Sequence, residues 1–394
     1  MGQSILLRGA RQLLTLRGPS GVRRGAALHD LGIIEDGSVL IQDGVITQVG
    51  TSRRIENLKE ARGALEIAAN GHVVMPAFVD AHLDLNVHDP ADGPEGLPKR
   101  RALTKFYEES LALTRACLQH GTLTAEVKAS AGSGNIQADA AVIKQLLKIG
   151  NNPIGLIRTW RIADMLADRA DALEEFQRML ASLIKKKLIV NTEIDSDLAT
   201  SPVLGALLAS MQAAGIGVKL LWRGGSPEQL SDLMSRLYPR TICSSSQLSP
   251  AERSVLAAAP GIPVFSPCKE VSEGAAAGDA PYELASAGAP IALSTGFHFR
   301  RSPSCSMQMA LSFAVLHLRL TIEQAITAAT INAAHAVGVG HLTGSIEVGK
   351  RADLLILTLA DYREIPRQYG INHVGMAIRD GNVVFNRTRW KVGA

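Results

Sequence analysis

The sequence predicts an α/β fold, a (βα)8 barrel of the TIM type joined to a small β-sandwich-like domain formed by both chain ends. The first observation is alternation: short apolar runs recur through the middle of the chain, with helical stretches between them. The second is the strand-like, turn-rich character of the two ends. The third is the length of 394 residues, which fits one barrel with a small appended domain. The predicted bounds are 71–344 for the barrel and 1–70 with 345–394 for the β-domain.

Eight apolar runs are the predicted barrel strands. They span residues 77–83, 122–127, 154–158, 188–193, 216–221, 241–244, 263–265 and 290–294. Helical segments such as 173–185 and 202–214 lie between them. Eight strand-then-helix units imply a parallel barrel with right-handed crossovers. The carboxyl ends of the strands then form the face on which such barrels carry their sites.

The two chain ends share a pattern of short strands and tight turns. Strand-like runs at 38–41 and 44–50 flank Gln42-Asp43, which is a hairpin pattern. Runs at 352–357 and 376–385 follow the same style, and the second contains Asp380-Gly381, a turn signal. We therefore expect both ends to build one small β-domain.

Composition excludes several function classes. The 41 Lys and Arg residues outnumber the 37 Asp and Glu residues by only four and are scattered, so we expect no nucleic-acid partner. No apolar run reaches the roughly 18 residues of a membrane span, so we expect no membrane partner. The four cysteines show no CxxC spacing, which is typical of a reducing compartment. The expected location is the cytoplasm.

The first predicted barrel strand ends in a His–Asp pair. His82 and Asp84 are two residues apart, so their side chains point to the same side of the strand. At the mouth of a barrel such a pair can hold a metal, or act as a base and the group that orients it. A hydrogen bond with a purely structural role is the alternative.

Several segments resemble the amidohydrolase superfamily, and imidazolonepropionase within it. Residues 75–84 resemble the superfamily signature in which a His-x-His pair follows a Pro-Gly-Phe-Val-Asp run. Residues 330–334 lead to a Gly-Ser-x-Glu-x-Gly-Lys-x-Ala-Asp motif at 344–353, which many amidohydrolases share. Glu126-Val127-Lys128 and the Tyr-Gly-Ile-Asn-His stretch at 369–373 are similar to imidazolonepropionase more narrowly. The similarity covers nearly the whole chain.

The resemblance implies a chemistry and a ligand set. In such relatives a single metal activates a water, which attacks the carbonyl of a cyclic amide. Two His from the first strand, one His from the fifth and an Asp from the eighth hold the metal, and a His on the sixth strand helps to polarise the carbonyl. The resemblance also implies a homodimer.

The chain departs from that ligand set at nearly every position. His82 keeps the first ligand, but Asp84 stands at the second. Leu221, or alternatively Leu220, takes the place of the fifth-strand His, and Gly296 that of the eighth-strand Asp.

The distribution of histidine supports this conclusion without any alignment. The chain has ten histidines, and none lies between His120 and His298, the interval that contains strands three to eight. No shift of register can therefore supply a His from the fifth or sixth strand. We predict no metal cofactor, with a zinc or iron held weakly by His82 and Asp84 as the alternative. His88, His298, Cys243 and Cys268 are further ligand candidates.

The remaining polar groups predict a site without a metal. There His82, Asp84 and His298 are the candidate catalytic residues, with His82–Asp84 acting as the base. Candidate substrate-binding residues lie at or after the strand ends and fit a small, acidic ligand; they are Arg161, Arg223, Arg300, Lys128 and Glu193. Mutual pairing of these charges is the alternative.

Three functions remain open on this basis. The favoured one is a divergent or catalytically silent member of the imidazolonepropionase group, descended from hydrolases of non-peptide C–N bonds. The second is an active C–N hydrolase with a site rebuilt around His82 and Asp84. The third is a small-acid-binding or scaffold protein.

Overall fold

The computed structural model describes residues 4–85, 100–130, 136–150, 152–162, 173–197 and 202–387. The strands are β1 (Ser4–Leu14), β2 (Ile33–Gln42), β3 (Val45–Thr51), β4 (Leu65–Ala68), β5 (Val73–Pro76), β6 (Phe78–Asp84), β7 (Thr122–Lys128), β8 (Gly155–Arg161), β9 (Asn191–Asp195), β10 (Gly217–Leu221), β11 (Thr241–Cys243), β12 (Ile262–Phe265), β13 (Ala292–Leu293), β14 (Phe297–His298), β15 (Leu354–Leu357), β16 (Val374–Arg379) and β17 (Asn382–Asn386). The helices are α1 (Ser52–Ile55), α2 (Arg100–Gln119), α3 (Ile136–Ile149), α4 (Leu173–Lys185), α5 (Pro202–Ala213), α6 (Pro227–Leu237), α7 (Pro250–Ala258), α8 (Pro267–Ser272), α9 (Ala280–Ser286), α10 (Met307–Leu316), α11 (Ile322–Ala329) and α12 (Ile331–Ala336). Short 3-10 helices lie at Gly25–Leu28, Lys59–Ala61 and Tyr362–Gln368.

The middle of the chain forms the predicted barrel. Strands β6 to β13 pair with their neighbours in chain order, and the pairs from β6 to β13 are parallel. Each of the eight predicted apolar runs contributes to one of these strands. The (βα)8 barrel of the TIM type is therefore confirmed, and the carboxyl ends of its strands form one mouth.

The eighth barrel strand is split in two. β13 pairs with β12, whereas β14 pairs with the first strand, β6. Between them, the backbone N–H and the hydroxyl of Thr295 both donate to the buried carboxylate of Asp80 in β6. Burial raises the pKa of Asp80 to about 6. This contact joins the last strand to the first and closes the wall.

Both chain ends contribute to a second sheet. Its path is β17-β16-β15-β5-β1-β2-β3, with β4 paired to β1. The predicted hairpin joins β2 to β3 through Asp43 and Gly44, which have φ of 50° and 80°. A similar pair, Asp380 and Gly381, turns β16 into β17. The sheet includes β5, which lies beyond the predicted boundary at residue 70, and the domain bounds stay a prediction.

Helices pack on the barrel through amphipathic faces. Helix α4 begins and ends where the sequence pattern predicts, and its buried Phe176, Leu180 and Leu183 recur at helical spacing. Trp160 of β8 stacks on Phe176 with ring centroids 4.5 Å apart, and its indole N–H donates to Asp139 of α3 at 2.8 Å. None of the helices that the structure describes combines the length and apolar content needed to span a bilayer.

Candidate active site

The barrel mouth gathers polar side chains from consecutive strand ends. A parallel sheet aligns these ends, so residues far apart in sequence become neighbours. The final residues of the strands include Asp84 of β6, Lys128 of β7, Arg161 of β8, Asp195 of β9, Leu221 of β10 and Cys243 of β11. The predicted residues His82, Asp84, Lys128, Arg161 and Glu193 thus belong to one site.

His82 lies at the centre of this group. It is only 8% exposed, and its Nδ1 lies 3.4 Å from Cys243 Sγ and 3.7 Å from Glu193 Oε2. Burial holds the pKa of His82 well below its usual range, and the cations of Lys128, Lys219, Lys269 and Arg161 act in the same direction. The imidazole is therefore neutral at neutral pH, the form that serves as a base or a metal ligand.

The predicted substrate-binding charges mostly pair with carboxylates. Lys128 Nζ lies 2.8 Å from Glu193 Oε1, and the two side chains are almost fully buried. The guanidinium of Arg161 lies 3.8 Å from Glu193, 3.8 Å from Asp195 and 3.9 Å from Asp84. Arg223 forms an ion pair with Asp195. In the structure these cations therefore pair with carboxylates of the protein itself. Such mutual pairing is the alternative that the sequence left open.

A second buried pair underlies the mouth. The Lys219 amine donates to the Glu126 carboxylate, and both side chains are at most 1% exposed. The same amine donates to the carbonyl of Ala81 at 2.9 Å. Burial lowers the pKa of Lys219 to about 8. The pair ties the fifth strand to the first and second and thereby fixes the position of His82.

His298 joins the strand end that carries Asp84, because these two residues are paired across β14 and β6. Its Nδ1 accepts the backbone N–H groups of Arg300 at 3.2 Å and Arg301 at 3.3 Å. Burial lowers the pKa of His298. Arg300 itself is exposed on this turn. The other predicted ligand candidate in the first loop, His88, lies outside the described residues.

A cavity of about 460 Å³ opens beside His82. Its lining includes Leu221, Cys243 and the cationic side chains of Arg223 and Lys269, together with three glutamates, Glu252, Glu270 and Glu273. Leu220 lies instead in the hydrophobic core, so Leu221 is the residue at the fifth-strand mouth. Sequence reasoning missed Lys269, since a lysine in α8 carries no signal until the fold turns that helix toward the mouth. Burial lowers the pKa of Lys269.

The metal of the relatives does not fit the residues at the equivalent positions. Leu221 offers no donor atom, and Asp84 lies within reach of Arg161. Gly296 has a φ of 61°, and a Cβ added there would lie 2.6 Å from the Cβ of Ser266 and 2.9 Å from that of Lys269. A carboxylate side chain at position 296 therefore requires α8 to move. His82 remains as the one unchanged ligand of the four.

A different donor set is present close by. His82, Glu193 and Cys243 each turn one potential ligand atom toward the others, all within 4.8 Å. The sequence singled out each of the three residues but did not group them, because they come from the first, fourth and sixth barrel strands.

Comparisons with known proteins agree with this architecture. Residues 280–384 match the model of the Amidohydrolase family. The chain is 29% identical to the imidazolonepropionase of Geobacillus kaustophilus, over 97% of this chain and 98% of the relative. An adenosine deaminase from Xanthomonas campestris with bound zinc superposes with a TM-score of 0.71 at 18% identity, covering 99% of this chain and 94% of that one. An amidohydrolase from a Sargasso Sea sample gives 0.71 at 17% identity, covering 98% and 93%.

Proposed function

Because the chain belongs to the amidohydrolase superfamily and is imidazolonepropionase-like in sequence, we propose that it is a divergent member without the imidazolonepropionase reaction. The observation that carries this proposal is Gly296, whose place against α8 leaves no room for the eighth-strand carboxylate. In relatives the metal lowers the pKa of its water from about 15.7 to about 7. Without the other ligands of the relatives beside it, His82 cannot hold a metal and its activated water in the same position.

The altered mouth supports binding of a small acid. Lys269 lines the cavity and makes no direct ion pair or hydrogen bond with the residues described in the structure, and the strongest neighbouring charge acting on it is the carboxylate of Glu273, which also lines the cavity. A carboxylate in the cavity would give this cation a partner, and hydrogen bonds between charged groups are the stronger kind. The ligand we propose is therefore a small organic acid. We further propose a cytoplasmic homodimer without nucleic-acid or membrane partners.

One observation favours a second candidate, an active hydrolase of cyclic C–N bonds with a rebuilt site. The neutral imidazole of His82 borders the cavity, 3.4 Å from a thiol. A base in that position can take a proton from water or from a substrate. Asp84 and His298 would then orient groups at the rim.

An activity assay separates the two candidates. The purified chain is compared in the imidazolonepropionase reaction with the Geobacillus kaustophilus enzyme as positive control, and we expect no turnover above buffer. Turnover at the rate of the control would refute the proposal. In a set of cyclic amides, any hydrolysis that His82→Ala abolishes would support the second candidate over the first.

Ligand binding is tested by thermal shift against small carboxylates. We expect at least one acid to raise the melting temperature of the native chain, because a ligand that binds only the folded state stabilises it. The same acid should leave the melting temperature of Lys269→Met unchanged. Equal shifts in both proteins would contradict the role of Lys269.

A further inference from the structure

We propose that His82, Glu193 and Cys243 form a zinc site whose ligands differ from those of the relatives. The three residues offer an imidazole nitrogen, a carboxylate oxygen and a sulfur, all buried and all within 4.8 Å of one another. Zinc accepts this combination of donors. The inference goes beyond the proposed function. That proposal concerns the positions at which the relatives hold their metal, and it stands whether or not this different set of donors binds an ion.

The two distances from His82 to the other donors are close to those of a zinc tetrahedron. Typical bonds are about 2.3 Å to sulfur and about 2.0–2.2 Å to nitrogen and oxygen, which place tetrahedral ligand atoms about 3.3–3.6 Å apart. His82 Nδ1 lies 3.4 Å from Cys243 Sγ and 3.7 Å from Glu193 Oε2. The third pair, Glu193 with Cys243, lies within 4.8 Å, so these two side chains have to approach each other to complete the geometry.

Glu193 supplies an independent observation that points to an ion. Its Oε2 is fully buried and has no hydrogen-bond partner. Buried polar atoms in folded proteins nearly always have a partner. Lys128 approaches the other oxygen, Oε1, at 2.8 Å, so Oε2 remains directed at His82. A cation between Oε2, Nδ1 and Sγ would satisfy it.

The thiol of Cys243 decides how much charge the ion would bring. Zinc binding displaces the thiol proton, so loading would add one net positive charge to the cluster rather than two. The carboxylate of Glu193 would then be shared between the ion and the amine of Lys128, which lies 2.8 Å from its other oxygen.

The fourth coordination position would face the cavity. His82 and Cys243 both line it, whereas Glu193 lies behind them and is fully buried. Three protein ligands with an open position characterise catalytic zinc sites, while structural sites use four protein ligands. Zinc held here would supply a Lewis acid to the second candidate function.

Metal titration of the full chain tests the site. The protein is stripped with a chelator, reloaded with zinc, desalted and analysed for metal, and we expect one equivalent per chain. Cys243→Ser and Glu193→Gln should each weaken zinc binding by at least about tenfold. Each variant loses a direct ligand, and even residues that only support a ligand change metal affinity by about 10–100-fold. Cys268→Ser is the matched control: it removes another buried thiol, one outside the donor set, and should bind zinc as the native chain does.

Cobalt gives a second readout that does not depend on activity. Co²⁺ in the native chain and in Cys268→Ser should show thiolate-to-metal charge-transfer absorption, and Cys243→Ser, verified as folded by circular dichroism, should not. Failure of the native chain to retain zinc, or equal retention by Cys243→Ser, would overturn the proposal. Loss of zinc in Asp84→Asn but not in Cys243→Ser would also overturn it, since the ion would then use the first-strand pair. The imidazolonepropionase assay on zinc-loaded protein is scored separately, so the two proposals can fail independently.

Discussion

Gly296→Ala is the sharpest test of how the mouth is built. Position 296 has a φ of 61°, where a side chain costs about 1–2 kcal/mol. The new Cβ would also lie 2.6 Å from the Cβ of Ser266, and forcing an atom into packed structure costs about 1–3 kcal/mol. We expect the free energy of unfolding to fall by about 2–5 kcal/mol, measured from urea denaturation curves.

Gly288→Ala separates the two contributions. Gly288 has a similar φ of 83°, but an added Cβ there meets nothing within 4 Å. This control should therefore lose only the conformational part, about 1–2 kcal/mol. Gly296→Asp, which restores the relatives' residue type, should lose at least as much stability as Gly296→Ala. If Gly296→Ala were no less stable than Gly288→Ala, α8 would not obstruct the position and our account of the lost carboxylate would be wrong.

Two further predictions concern ionisable groups, one fully buried and one partly buried. Lys219→Met leaves the Glu126 carboxylate without its partner in the core and should lower the free energy of unfolding by about 3–5 kcal/mol. The double variant Lys219→Met/Glu126→Gln should recover most of that loss in the same urea experiment. A double variant as unstable as the single one would contradict the pairing. Burial lowers the pKa of His335 from 6.5 to about 4, so the unfolded chain binds the proton more tightly than the folded chain does. The protein with His335 should therefore lose stability relative to His335→Gln as the pH falls from about 6.5 to about 4. Melting temperatures that stay a constant distance apart across this range would show that His335 does not titrate as we infer.

The barrel could be predicted because each strand leaves a local mark in the sequence. An apolar run buried on both faces is visible without knowledge of its neighbours, and the same holds for the helical spacing of Phe176, Leu180 and Leu183. The eighth strand shows where this reasoning ends. The pattern predicts one strand over 290–294, but the structure has Ala292–Leu293 and Phe297–His298 instead. Thr295 interrupts the strand to bind Asp80, a contact that spans the barrel closure and leaves no local signal.

The site was predictable to the same extent. His82 and Asp84 share one strand, and period-two alternation predicts that their side chains point to the same side of it. The contacts of His82 with Glu193 and Cys243 depend on the register of separate strands, which the sequence does not encode locally. Charges were also harder to interpret than positions: Lys128 and Arg161 are at the mouth as expected, yet they face carboxylates of the protein itself.

The absence of a carboxylate at position 296 and the position of Lys269 at the cavity are linked by packing. The Cβ of Lys269 lies 2.9 Å from the point that a Cβ of residue 296 would occupy, so α8 can approach this closely only because residue 296 is glycine. The same approach carries the Lys269 amine into the cavity beside His82. An aspartate at 296 would push α8 away and would withdraw that amine from the cavity. Glycine at position 296 and the place of Lys269 at the cavity are therefore coupled, so a substitution at 296 should also change the position of the Lys269 amine.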